Sequence, residues 1–270
     1  MTDNTGAFIL SASNYSAYSI SVLKLLLTQG VPVRGVMIQK LADRGRLLRE
    51  FRSSGPAILG KIFRKLILQR LGIGQQLQDG FSTYYKTLGK QPSSLVDLCT
   101  QHGIKYLLTS DFHSEESLTF LEASRCALVV FTGGGLVRQA LIDRSGQGVV
   151  NCHMGVLPKY RGMDCTYWCS LNRDRDNIGF TVHLINAGVD TGPIVEVHKV
   201  DASRMATIDE AVFEIEYRMA PAISSAVGKM LRGETTFTPQ RAEDGLQYFT
   251  ISPECQSLAR EMFAAEKRVL

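Results

Sequence analysis

The sequence predicts an α/β fold: a Rossmann-like, open and mostly parallel sheet with helices on both faces, followed by a small C-terminal α+β extension. Three observations carry this reading. Short apolar runs, AFILSA at 7–12 and ALVVF at 127–131, suit strands buried on both faces. Stretches with apolar residues at helical spacing stand between such runs. Strand, helix and strand follow one another within about thirty residues, the length of a βαβ unit. At 270 residues, with 44% hydrophobic and 21% charged residues, the chain can bury a sizeable core, which excludes disordered, collagen-like and coiled-coil classes.

In order, Ala7 to Ala12 is the first strand. Ser13 and Asn14 can cap the helix that follows, whose Tyr18, Val22, Leu25 and Leu26 lead to a glycine stop at Gly30. Val33 to Ile38 is the second strand. Residues 40–92 read as a basic helical insertion. Between Lys40 and Arg70 nine basic residues face only Asp43 and Glu50, and Leu59, Ile62, Phe63, Leu66 and Ile67 recur at helical spacing. A solvated basic face is the plain reading, and attraction of an anionic substrate or acidic partner the sharper one.

The alternation then resumes. Ile104 to Thr109 and Ala127 to Phe131 are strands around a helix from Ser114 to Ser124. Thr132-Gly133-Gly134-Gly135 precedes a short helix ending at Ile142, and Gly148 to Asn151 is the next strand. Thr166 to Leu171 is helical, with Gly179 to Leu184 and Pro193 to Val200 as strands. Thr207 and Glu210 form a capping box before Ile208, Val212, Ile215 and Met219, a helix that Pro221 should kink or end. Thr235 to Thr238 and Tyr248 to Ile251 are short strands, which in a homodimer would pair between subunits, and a last helix starts near Glu254. An α/β domain over 1–205 and an extension over 206–270 follow from this division.

No apolar run reaches the eighteen or so residues that span a bilayer, and Met1 to Gly6 lacks the basic start of a secretory leader, so a cytoplasmic location is expected. A net charge of +4 does not demand a nucleic-acid partner. The six cysteines read as reduced and mostly buried. Cys165 and Cys169 can share a helix face near His153, His183 and His198, but without a CxxC or HExxH spacing packing is favoured over zinc and no metal is expected.

Ligands of open parallel sheets collect at the carboxyl ends of the strands. Two loops qualify. The triple glycine after Phe131 lets a ligand approach backbone, although it is neither GxGxxG nor a phosphate loop. The stretch Asn151-Cys-His153-Met-Gly-Val-Leu-Pro158-Lys-Tyr160-Arg161-Gly162 places an amide and an imidazole two residues apart, on one side of a strand. Farther on, Asp190 lies in a tight Gly-rich loop, where capping the turn is the plain reading of its carboxylate.

NxHxGxLPKYRG, then Trp168, then GxTVH at 179–183 and GVDTGPI at 188–194 resemble the folate-dependent formyltransferase family, closely over 127–200 and loosely before it. The 37-residue step from His153 to Asp190 is close to the family's own. The family's HxSLLP stands here as HMGVLP, without the serine. The family includes methionyl-tRNA, glycinamide-ribonucleotide and amino-sugar formyltransferases, and the resemblance implies transfer of a formyl group from 10-formyltetrahydrofolate to an amine. It maps the catalytic residues onto Asn151, His153 and Asp190. Asn151 and protonated His153 would form an oxyanion hole, while Asp190 favours the imidazolium and helps remove the amine proton. The resemblance also puts the pterin against backbone of Phe131, Thr132, Gly133, Gly134 and Val137, and of Ala187, Gly188 and Val189. The acceptor would lie on the other side of His153, near Ser11, Asn14, Tyr160 and Arg161.

The expected acceptor is a small molecule, foremost a nucleotide-linked amino sugar, with an amino-acid amine such as hydroxyornithine as an alternative. Methionyl-tRNA is disfavoured. Family members that act on tRNA continue into a basic β-barrel, whereas residues 234–270 hold four basic and six acidic side chains, a net of −2. Other classes are a 10-formyltetrahydrofolate hydrolase, whose relatives carry an extra N-terminal domain, a nicotinamide dehydrogenase, and a silent folate-binding protein. Ser11-Ala-Ser-Asn14 after the first strand lacks the dehydrogenase glycines.

Overall fold

The computed structural model describes residues 6–40, 79–89 and 94–266. The basic insertion expected over 40–92 therefore lies largely outside the described residues. The elements are β1 (Ala7–Ser11), α1 (Ala17–Thr28), β2 (Val33–Gln39), α2 (Gly80–Thr87), α3 (Leu95–Gln101), β3 (Tyr106–Thr109), α4 (Glu115–Ser124) and β4 (Leu128–Thr132). They continue with α5 (Gln139–Ile142), β5 (Val149–His153), β6 (Tyr160–Gly162), α6 (Cys165–Leu171), β7 (Gly179–Ile185), β8 (Ile194–Lys199), α7 (Ile208–Leu231), β9 (Leu246–Tyr248) and α8 (Pro253–Glu266).

Seven strands form one sheet in the order β3-β2-β1-β4-β5-β7-β8. The first five run parallel, and β7 and β8 are antiparallel additions. Strand order reverses between β1 and β4, where Ser11 pairs with Thr132, so the crevice beyond these two ends is the topological switch point. β1 is buried along its whole length, as its unbroken apolar run requires. One face of the sheet packs Ile9, Val130, Val150 and Cys152 against α1, α6, α7 and α8, and the other packs Phe8, Val129 and Val149 against α4 and α5.

Several local expectations are corrected. Ser16, and not Ser13 or Asn14, caps α1, its hydroxyl accepting from the Ser19 N–H. The Asn14 side chain instead accepts from the Val96 N–H, at the start of α3. Pro221 lies inside α7 and does not end it. A mid-helix proline costs about 3 kcal/mol. The residues beyond it, Ile223, Ala226, Val227 and Met230, are all buried, and each large side chain returns roughly 1.5–3 kcal/mol. Packing outweighs the missing N–H. Thr235 to Thr238 forms only an isolated bridge, Thr238 to Ile194. β9 ends at Tyr248 and pairs with β6 of its own chain, which folds the C-terminal segment back toward the end of β5. α7 and α8 contribute to the same core as β1, through Ile215 and Phe263 among others.

Candidate active site

β5 runs to His153, two residues farther than its apolar run suggests. Its alternation sends Cys152 into the core with α1 and leaves Asn151 and His153 on the opposite face. Across the antiparallel pair Asn151 stands opposite His183 of β7, and His153 opposite Thr181. The Thr181 hydroxyl accepts from the Leu157 N–H and donates to the Gly155 carbonyl, which ties the turn after His153 to β7.

Asp190 sits in the loop between β7 and β8 with a left-handed backbone, φ 51°. Its loop is organised by Asn186, whose side-chain oxygen accepts from the Gly188 N–H and the Thr191 hydroxyl. One carboxylate oxygen lies 3.5 Å from His153 Nδ1 and accepts from the Gly162 N–H at 2.9 Å. The other lies 3.5 Å from His183 Nε2. The sequence-predicted amide, imidazole and carboxylate are thus brought together, with His183 between them.

Hydrogen bonds assign the ring nitrogens. His153 Nε2 is 2.9 Å from the Tyr160 carbonyl, which has only lone pairs, so Nε2 carries a hydrogen and donates it. Nδ1 is therefore the nitrogen that faces Asp190. His183 Nδ1 similarly donates to the Leu184 carbonyl, leaving Nε2 to accept from the Asn151 amide at 3.2 Å. Burial lowers His183 from the ordinary histidine value to about 4, outweighing the attraction of Asp190, so this ring is neutral at pH 7. The bond to His183 orients the Asn151 amide.

No ionised thiol competes with these groups. Cys165 Sγ lies 3.6 Å from His153 Nε2, but burial, reinforced by Asp190, pushes its thiol up to about 12. Burial raises Cys152 and Cys169 further in the same direction. Among the described residues no cluster of three His, Cys, Asp or Glu is arranged to hold a metal. A Cβ on Gly155 would fall 2.5 Å from His153 Nε2 and 2.7 Å from the Tyr160 carbonyl. The imidazole seat therefore occupies the space a serine would need at this place in the motif.

The remaining sequence-predicted residues divide. Phe131 pairs with Asn151 across β4 and β5, so the loop from Gly133 to Val137 leaves the sheet beside the site. Gly133, Gly134 and Gly135 all have positive φ, and a Cβ on Gly134 would lie 2.4 Å from the Phe112 ring. At Gly135 a Cβ would meet nothing within 4 Å, so its backbone faces open space. The Thr132 side chain is buried and bonds the Leu10 carbonyl, so only its backbone can serve a ligand. Ala187, Gly188 and Val189 are exposed on the loop that leads to Asp190.

Three of the four residues suggested for the acceptor are buried, with side chains engaged within the fold. Ser11 is fully buried and donates to Ser19. Tyr160 is 1% exposed, with its hydroxyl on Asp174 and its ring stacked on Tyr248. Arg161 is buried and donates to the Arg241 carbonyl. Ser11 thus braces β1 against α1, and Tyr160 and Arg161 hold the segment after β5, whereas Asn14 remains half-exposed at the switch point. His183 and the Tyr160 carbonyl were the features sequence reasoning missed. Their roles arise from register and main chain.

An amide donor, an imidazole and a carboxylate brought together are the groups that acid–base and oxyanion chemistry uses. The comparisons make this specific: the profile of the formyl transferase family matches residues 87–222, half of the chain, and the chain belongs to that family. The methionyl-tRNA formyltransferase of Trichlorobacter lovleyi is 30% identical over 175 residues, 64% of this chain and 50% of that protein. That of Pelobacter propionicus is 30% identical over 166 residues, 58% of this chain and 49% of that protein. The chain thus spans about half the length of the curated relatives it matches. Among solved structures, glycinamide ribonucleotide transformylase 1 from Symbiobacterium toebii superposes with a TM-score of 0.57 at 16% identity, covering 89% of this chain and 96% of that one. An N-formyltransferase from Helicobacter canadensis, solved with folinic acid and dTDP-3-aminofucose, gives 0.54 at 14% identity, covering 91% and 71%. At such identities the likeness is one of fold.

Proposed function

We propose that this chain transfers a formyl group from 10-formyltetrahydrofolate to the primary amine of a small molecule, with a nucleotide-linked amino sugar as the preferred acceptor. The observation that carries the chemistry is the convergence of Asn151, His153 and Asp190 at the end of β5. The amine nitrogen bonds to the formyl carbon, and charge gathers on the formyl oxygen. The Asn151 amide and the His153 imidazolium stabilise that charge. Asp190 takes the amine proton, directly or through water, and the bond from carbon to the donor nitrogen breaks as that nitrogen is protonated. The glycines at 133–135, all with positive φ, leave main-chain groups open to the amide edge of a pterin, which backbone can read without a charged partner.

Residues 234–270, with six acidic and four basic side chains, offer little of the positive surface that phosphate contacts need, since such contacts dominate nucleic-acid affinity. A second reading, methionyl-tRNA as acceptor, is favoured by the sequence relatives at 30% identity. One experiment separates them: incubation with 10-formyltetrahydrofolate and a panel containing a nucleotide-linked amino sugar, glycinamide ribonucleotide, hydroxyornithine and charged initiator tRNA, read by mass spectrometry. A formyl group gained by the amino sugar supports the first reading. Formylation of the tRNA alone supports the second, and absence of formylation throughout overturns both.

A further inference from the structure

The segment after α7 reaches the site through Gln240, which none of the catalytic motifs contains. Its side-chain Nε2 donates to two main-chain carbonyls of the catalytic loop, Asp190 at 3.1 Å and Gly192 at 2.5 Å. Both hydrogens of the amide are thereby committed. The opposite amide orientation would set Oε1 against two carbonyl oxygens, so the side chain has one acceptable arrangement. Its own segment is anchored on either side. Thr238 exchanges two main-chain bonds with Ile194 at the far end of the same loop, and Arg161 donates to the Arg241 carbonyl. The loop so clasped holds Asp190 in a left-handed conformation that non-glycine residues rarely adopt. Asp190 in turn reaches the Gly162 N–H of β6, and β6 is kept in place by pairing with β9 of that same C-terminal segment.

We infer that Gln240 is a positioning residue for Asp190, and that residues 238–248 complete the catalytic site from outside the α/β core. This rests on the proposed role of Asp190 in proton transfer. Gln240 touches no reacting atom. It fixes the main chain on which the carboxylate is carried, and a displacement of about 1 Å in such a group can cost on the order of a hundredfold in rate.

The test compares Gln240→Met, which keeps the volume and loses both donors, with Gln240→Ala, and uses Asp190→Asn as reference. Hydrogen exchange read by mass spectrometry or NMR reports the loop without any acceptor. In Gln240→Met the Gly162 amide and residues 186–193 should exchange at least about tenfold faster, while β1 and β4 keep wild-type protection. With the amine found in the panel above, kcat should fall about ten- to a hundredfold, with KM for the formyl donor within about twofold and an unchanged melting temperature. A role in packing alone would leave Gln240→Met like wild type and damage only Gln240→Ala. Wild-type exchange and turnover in Gln240→Met, alongside an inactive Asp190→Asn, would overturn the inference and leave the proposed chemistry standing. Full activity in Asp190→Asn would overturn that chemistry, and the catalytic role of Gln240 with it.

Discussion

His183 decides how the single residues of the site cooperate. Neutral and 1% exposed, it offers Nε2 to Asn151, and that bond exists only while Nε2 is unprotonated. Its folded value of about 4 lies below the ordinary 6.5, so between those values the unfolded chain binds a proton that the folded chain refuses. Stability is therefore full above about pH 6.5 and declines as pH falls toward 4. Urea unfolding across that range should show the slope, and His183→Gln, which cannot titrate, should flatten it. An equally steep slope in the variant would remove His183 as its source. Asn151, His153 and Asp190 are legible in sequence because two of them share a contiguous motif and the third sits in a Gly-rich turn. His183 is not legible as their partner. Its position depends on the antiparallel register of β7 on β5, which no local pattern specifies.

At the scale of elements, the apolar runs of β1 and β4 and the Thr207 cap of α7 were readable, since both signals are local. α3 was not. Seven residues carry too little periodicity, although Ser94 with Asp97 caps it, the hydroxyl accepting from the Asp97 N–H. At Pro221 the sequence left a kink or an end open, and α7 runs through the proline because burial of the helix beyond it overrides local preference. Pro221→Ala restores the N–H that the helix lacks and should raise stability by about 1 kcal/mol in thermal unfolding. An unchanged or lower melting temperature would show that the helix is bent to suit proline. In the loop after β4, Gly134→Ala drives a Cβ onto the Phe112 ring in a backbone region that side chains avoid. Affinity for folinic acid, measured by calorimetry, should weaken at least about tenfold while Gly135→Ala, in open space, weakens it less. Equal affinities for Gly134→Ala and wild type would move the donor site elsewhere.

For the whole molecule, the topology explains why the site lies where it does. The sheet reverses its strand order at β1 and β4, the two antiparallel strands bring His183 and Asp190 back over β5, and the C-terminal segment closes the far side through β9 and Gln240. The open α/β class was evident from alternation, whereas the return of residues 238–248 to the site was not, since nothing in TTFTPQ or LQY announces a distant partner. A folate bound only by the folded chain should stabilise it by about 2.7 kcal/mol at a hundredfold excess over its Kd, a rise of several degrees in Tm, and NAD should give none. The central claim is that His153, seated on the Tyr160 carbonyl and facing Asp190, drives formyl transfer. It is tested most directly by the rate of formyl transfer from 10-formyltetrahydrofolate in wild type and in folded His153→Asn under saturating donor and amine. The predicted result is a loss of at least about a hundredfold in kcat with an unchanged melting temperature. Turnover within a few-fold of wild type would contradict it.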